Sequence, residues 1–130
     1  MQLEFMNVPG QIATLAHAVA NCVFVETQAK SLRVVEALTS MIYNAAHHDI
    51  QNVPKVISNA NLFKSAKIQP NVNTASREFQ MCVRVATRML HGNLVDSCNG
   101  ATMFHHIDTI PNWAIARGYI ADIDGLMFYA

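Results

Sequence analysis

The sequence predicts a mainly α-helical fold with a small β element, and two observations lead to this prediction. Three stretches place apolar residues at intervals of three and four, the pattern of a helix that buries one face. From Asn93 onward the pattern becomes irregular, and two short runs there are typical of strands. Because 130 residues suffice for one domain with its own core, residues 1–130 are predicted to fold as a single domain.

In chain order, the first helix is predicted over Gln11 to Glu26, after a turn at Pro9-Gly10. The second is predicted from about Ala29 to His47. The third follows Thr74, which is predicted to be its N-cap, and ends at His91-Gly92 because glycine often stops a helix. The apolar stripes of the three helices are, in the same order, Ile12, Leu15, Val19 and Cys22 or Val23; Leu32, Val35, Leu38, Ile42 and Ala45; and Phe79, Val83, Ala86 and Leu90.

The other segments are less regular. His47 to Pro54 is predicted to be a polar connection. Val53 to Ile68 fits either a bent helix or short strands at Val56-Ile57 and Leu62-Phe63, and Asn and Pro residues mark a long loop around it. A strand pair is predicted near Thr102–His105 and Leu126–Tyr129.

The charge balance excludes several classes of function. Nine basic and nine acidic side chains leave no formal net charge. Nucleic-acid binders and polybasic membrane anchors both depend on an excess of positive charge, so neither partner is expected. No apolar run reaches the roughly 18 residues of a membrane span, because His17 and Asn21 interrupt the best candidate.

The cysteines do not suggest a disulfide framework. Cys22, Cys82 and Cys98 cannot all pair within one chain, and none belongs to a CxxC motif. Reduced thiols in a cytosolic setting are the simplest interpretation. The N-terminal residues show no signal-peptide pattern.

Glu26 is the strongest candidate for chemistry. It continues the apolar face that runs through Val19 and Cys22, and Val23-Phe24-Val25 precede it directly. We therefore expect it to be partly buried, which disfavours the charged carboxylate and suits a general acid at neutral pH. The alternative is a carboxylate at a helix end that bends out to solvent.

The histidines and cysteines give weaker signals. His47-His48 and His105-His106 are adjacent pairs whose side chains diverge, and there is no HExxH motif, so no metal site is predicted. A nucleophile pair of Cys98 and His105 fits the spacing but has no other support. Aromatic residues concentrate in the last 30 positions, where they form either core or platforms for stacking sugars.

The C-terminal third carries a family resemblance. The segment from Asp96 to His105 resembles the D-P-T-x-G-A-T-x-F-H segment of the SleB-type cell wall hydrolases, the spore-cortex-lytic enzyme family. Pro111-Asn112-Trp113-Ala114 resembles that family's P-x-W-A, and Ile123 to Tyr129 resembles its closing I-G-x-H-x-F-Y. Glu26 falls where the family's essential glutamate stands, and Asn44 falls on the Asn of its V-x-L-N-R. The resemblance runs from about Leu15 to Tyr129.

The chain also departs from the family pattern. The family's E-A-R-G-E reads Glu26-Thr27-Gln28-Ala29-Lys30, so its second acid is lost. The family's closing His is Leu126, its Gln before Phe63 is Leu62, and its Arg after Asn44 is Ala45. Reduced activity, a shifted substrate or a non-catalytic member remain open alternatives.

The resemblance implies a lysozyme-like fold and cleavage of peptidoglycan glycan strands, with Glu26 protonating the glycosidic oxygen and no metal or organic cofactor. No second acid stands at a convincing position, which favours a lytic transglycosylase over a hydrolase. Asp96, Asp108, Asp122 and Asp124 are the candidates for a second acid if there is one.

The family resemblance also implies that the protein acts in the cell envelope, and a cytoplasmic or phage-associated location is the alternative. The rival functions are a glycan-binding domain that has lost turnover and a cytosolic interaction protein. The residues expected to contact sugar are Phe63, Thr102, Phe104, His105, Trp113 and Tyr129.

Overall fold

The computed structural model describes residues 9–63 and 72–130. Its helices are α1 (Pro9–Thr27), α2 (Leu32–Ala45), α3 (Val53–Ile57) and α4 (Arg77–Leu90), with 3₁₀ turns at Ile50–Asn52 and Asn112–Ala116. Its strands are β1 (Met103–His106), β2 (Tyr119–Ile123) and β3 (Leu126–Tyr129). The mainly helical prediction with a small β element is confirmed.

The core forms where α1 packs against α4 and α2 packs against both. Helix α1 is apolar on most of its surface, so it can bury residues against two neighbours at once. Phe79 of α4 is fully buried and lies against the rings of His17 and Phe24 on α1. None of the helices in the described ranges is long and apolar enough to cross a membrane.

The second helix starts later than predicted. Gln28 and Ala29 have φ angles of 53° and 50°, which end α1 and prevent a helix from starting at Ala29. Ser31 is the N-cap of α2, since its hydroxyl accepts a hydrogen bond from the Val34 amide at 3.1 Å. The helix ends at Ala45 rather than His47, which has a φ of 58°.

The predicted N-cap of the third helix is wrong. Ser76, not Thr74, caps α4, and its hydroxyl accepts a hydrogen bond from the Phe79 amide at 3.1 Å. Thr74 lies in the preceding turn, which Asn73 closes by accepting from the Ala75 amide at 3.0 Å. Asparagine side chains close such turns readily, and the next hydroxyl along the chain is then free to cap the helix.

The ambiguous segment contains a short helix, so the alternative of a strand at Val56-Ile57 is wrong. Pro54 fits in its first turn because the amide missing from proline has no partner there. Leu62 lies in a turn and Phe63 directly follows it. The rest of the segment, from 64 to 68, lies outside the described residues, as does Pro70.

The sheet has three antiparallel strands in the order β1-β3-β2. The predicted strand pair is confirmed, with Met103 opposite Tyr129 and His106 opposite Leu126. The prediction missed β2, which forms a hairpin with β3 through Asp124 and Gly125, whose φ angles are 46° and 93°. An Asp-Gly pair between short strands is a strong signal for such a turn.

Candidate active site

A cleft of about 450 Å³ opens where the end of α1 meets the sheet. Side chains from the end of α1, the turn before Phe63, strand β1 and the segment after β1 surround it. Among the described residues its lining consists of Glu26, Asn61, Leu62, Phe104, His105, His106, Asp108, Thr109, Pro111 and Trp113.

Glu26 lies on the last turn of α1 with 2% of its side chain exposed, so its expected burial is confirmed and the solvent-facing alternative is wrong. One carboxylate oxygen, Oε1, lies 2.6 Å from Nε2 of His106. The other, Oε2, is buried and has no hydrogen-bond partner within the part of the chain that the structure describes. A buried polar atom without a partner costs about 1–3 kcal/mol, and this one belongs to a residue that lines the cleft.

His106 links this carboxylate to the open side of the cleft. Its side chain is 41% exposed, whereas Glu26 is nearly inaccessible. The hydrogen bond to Glu26 raises the pKa of His106 above its ordinary value of 6.5; partial burial lowers it, and the charge of Asp108 raises it further. The charge of Lys30 opposes this rise. Lys30 therefore lowers the pKa of His106 from the sequence position at which the family pattern has its second acid.

Trp113 forms an aromatic side of the cleft and is held edgewise by two other rings. Its centroid lies 5.6 Å from that of His105 and 5.2 Å from that of Tyr129. Nε2 of His105 lies 2.9 Å from the Tyr129 hydroxyl, and Nδ1 lies 2.8 Å from the backbone oxygen of His106. Because a carbonyl oxygen only accepts, Nδ1 carries a proton and donates it to this bond. The ring of Trp113 is thus fixed in place and half exposed.

The loop that leads into β1 is tied to α2. The Asn44 amide donates to the backbone oxygen of Ala101 at 3.1 Å and to Asp96 Oδ2 at 3.3 Å. Asp96 in turn accepts from the amides of Cys98 at 2.9 Å and Gly100 at 2.8 Å. Asp96 therefore caps this turn, and it does not line the cleft.

Some of the residues expected to contact sugar reach the cleft and others do not. Phe104, His105 and Trp113 line it together with Glu26. Phe63 and Tyr129 are buried, with Phe63 packed against Phe104 at a centroid distance of 5.4 Å. The Thr102 hydroxyl accepts from Arg117 at 3.4 Å. The cleft is not lined by Phe63, Thr102 or Tyr129. Contact of these three residues with sugar stays a prediction.

The sequence prediction missed His106, whereas Asp108 was one of its four candidates for a second acid. Strand alternation was the available signal, since it places His105 and His106 on opposite faces of β1 and sends one of them toward the helices. Only the tertiary structure shows that His106 is the one that reaches Glu26. Asp108 lines the cleft too, whereas the Asp124 carboxylate bonds the Ser31 hydroxyl and Asp122 is exposed on β2.

The structure contradicts a cysteine nucleophile at Cys98. Burial raises the pKa of its thiol to about 12, and the charge of Asp96 adds to this rise. The reactive thiolate is therefore scarce at neutral pH. All three cysteines are buried and unpaired. Over residues 9–63 and 72–130, no group of three or more His, Cys, Asp or Glu side chains could hold a metal ion.

Comparison with known proteins gives a family match and a fold match. A family described as Cell Wall Hydrolase matches residues 26–129. The chain is similar to a solved structure described as the catalytic domain of the germination-specific lytic transglycosylase SleB from Bacillus anthracis, at 17% identity and a TM-score of 0.56, covering 89% of this chain and 93% of that one. That likeness shows a shared fold, the lysozyme-like α+β fold that the resemblance implied. No curated protein sequence matches the chain.

Proposed function

This chain belongs to the cell wall hydrolase family, and from that premise we propose that it cleaves peptidoglycan glycan strands between N-acetylmuramic acid and N-acetylglucosamine, with Glu26 as general acid and base. The family membership supports peptidoglycan as the substrate class, and we propose the cell envelope as the place of action. The roles of individual residues rest on the geometry of the cleft.

The observation that carries the proposal is the buried Oε2 atom of Glu26. It belongs to a side chain that lines the cleft, and the other oxygen of the same carboxylate is already bound. A glycosidic oxygen would give Oε2 the partner it lacks in the described part of the chain. In the reaction, Oε2 donates its proton to that oxygen, and the bond to the anomeric carbon then breaks.

Trp113 supports a carbohydrate ligand. Sugars present flat apolar faces that stack on aromatic rings, and the indole of Trp113 lies half exposed in the same cleft as Glu26. Its contacts with His105 and Tyr129 hold the ring before any ligand arrives. A ring fixed in advance loses less entropy on binding.

The number of carboxyl groups that act in the cleft decides between transglycosylation and hydrolysis. A lone carboxylate suits a transglycosylase, in which the 6-hydroxyl of the muramic acid attacks the anomeric carbon and gives its proton to Glu26. The product is a 1,6-anhydro ring, and the proton lost by Glu26 is restored. Hydrolysis requires a second group that activates water, and Asp108 is the candidate for it that lines the cleft.

Clearing of a peptidoglycan suspension tests the proposal. Wild-type protein should reduce the turbidity, and Glu26→Gln should abolish this while keeping a thermal midpoint equal to that of the wild type or higher. Glu36→Gln is the matched control, because Glu36 bonds Arg88 at 3.0 Å on the surface of the helices and does not line the cleft. Equal clearing by wild type and Glu26→Gln would remove Glu26 from the mechanism. Binding to peptidoglycan without clearing would favour the alternative of a glycan-binding domain.

A further inference from the structure

We propose that His106 is the positioning residue of this site, holding Oε1 of Glu26 so that Oε2 alone is left to react with the substrate. This inference rests on the proposed function. It goes beyond that function by naming the group that decides which oxygen works and that stabilises the carboxylate as it forms.

The contact between the two side chains fixes the orientation of the carboxylate. Nε2 of His106 lies 2.6 Å from Oε1, a short charge-assisted distance. Oε1 is bound, and only 2% of the Glu26 side chain is exposed. Rotation of the carboxylate would break the bond to His106 and leave both oxygens without a partner. The two oxygens of Glu26 are therefore not equivalent.

His106 is itself held from several sides. Its backbone pairs with Leu126 across the sheet, and its backbone oxygen accepts a hydrogen bond from Nδ1 of His105 at 2.8 Å. The ring packs edgewise on Phe104, with centroids 6.0 Å apart and an interplanar angle of 65°. A group that must hold another within a few tenths of an ångström needs this kind of support.

The hydrogen bond gains strength during the proposed reaction. In the form of the pair that reacts, Oε2 of Glu26 carries the proton to be transferred, and Nε2 of His106 donates to Oε1. When Oε2 gives its proton to the glycosidic oxygen, negative charge develops on the carboxylate, and the same N–H then binds a charged acceptor. An interaction that is stronger in the transition state than in the ground state lowers the barrier.

Other charged and titratable groups face this pair. Asp108, after β1, and Lys30, after α1, act on His106 with opposite signs. The thiol of Cys22 lies on α1, one turn before Glu26, and burial raises its pKa to about 12, so it stays neutral. The hydrogen bond to Glu26 is the largest of the effects that raise the pKa of His106.

Two substitutions at position 106 separate positioning from mere packing. His106→Leu removes the donor, and we expect kcat to fall by about 100-fold, the order of magnitude for losing one preorganised donor, with little change in KM. His106→Gln keeps an N–H donor at a similar reach and should recover at least about a tenth of wild-type kcat. In both variants the alkaline limb of the pH profile of kcat should lie at a different pH than in the wild type, because Glu26 and residue 106 no longer share a proton.

His91→Gln is the control, since His91 is exposed at the end of α4 and does not line the cleft. It should match the wild type in kcat and in pH profile, and melting curves should show that each variant is folded. Wild-type kcat with an unchanged pH profile in His106→Leu would overturn this inference while leaving the proposed function intact. A wild-type protein without activity would overturn the proposed function and this inference with it.

Discussion

At the scale of single residues, the bond between Glu26 and His106 makes stability depend on pH. The pKa of His106 is raised in the folded protein, so its contribution to stability is complete below its ordinary pKa and is lost as the pH rises through the raised value. The thermal midpoint of the wild type should therefore exceed that of His106→Gln most at about pH 6, and the difference should shrink as the pH is raised to alkaline values. Differential scanning calorimetry across this range measures it. A wild-type advantage that grows with rising pH would contradict the assignment.

Trp113 gives a second prediction at this scale. Trp113→Ala should weaken binding to insoluble peptidoglycan in a pull-down assay, because a half-exposed ring in the cleft is lost. Its cost in stability should stay below the roughly 3–5 kcal/mol of a core tryptophan. Tyr119→Ala is the matched control, since Tyr119 also contacts Tyr129, at a centroid distance of 5.8 Å, but is 52% exposed outside the cleft. A large loss of stability with unchanged binding by the folded protein would make Trp113 a core residue.

At the scale of single elements, the start of α4 can be tested by two hydroxyl deletions. Ser76→Ala should lower the free energy of unfolding by about 1 kcal/mol, because the Phe79 amide loses its acceptor. Thr74→Ala should change it by less than about 0.5 kcal/mol, the usual range for a surface substitution. Urea denaturation of both variants compares them directly. The reverse order of the two effects would restore Thr74 as the cap.

Elements with strong periodicity were predictable, and their ends were not. The stripes of α1, α2 and α4 gave the three long helices because each buries one face over several turns. The boundaries depended on local choices between equivalent residues, such as Ser76 against Thr74, or on positive φ angles at Gln28 and Ala29. Strand β2 was missed because its side chains are mostly half exposed and show no clear alternation.

At the scale of the whole molecule, the sequence located the buried acid but not its partner. Glu26 continued an apolar stripe, and that pattern alone predicted its burial. Its contact with His106 joins residues 80 positions apart, and only the tertiary fold brings them together. Asp108 and Trp113 were named from the sequence as separate candidates, and the path of the segment after β1 places both in the cleft with Glu26.

Analysis of the products of peptidoglycan digestion tests the central claim most directly, because it reports the bond that is cut and the atom that attacks. Digestion in ¹⁸O-labelled water followed by mass spectrometry should yield glycan fragments with 1,6-anhydro ends and no incorporated label, and Glu26→Gln should yield none. This outcome is expected from a carboxylate that acts alone as acid and then as base. Label at new reducing ends would contradict transglycosylation, and loss of that label in Asp108→Asn would identify Asp108 as the group that activates water. Intact glycan strands after incubation with the wild type would contradict the proposed function.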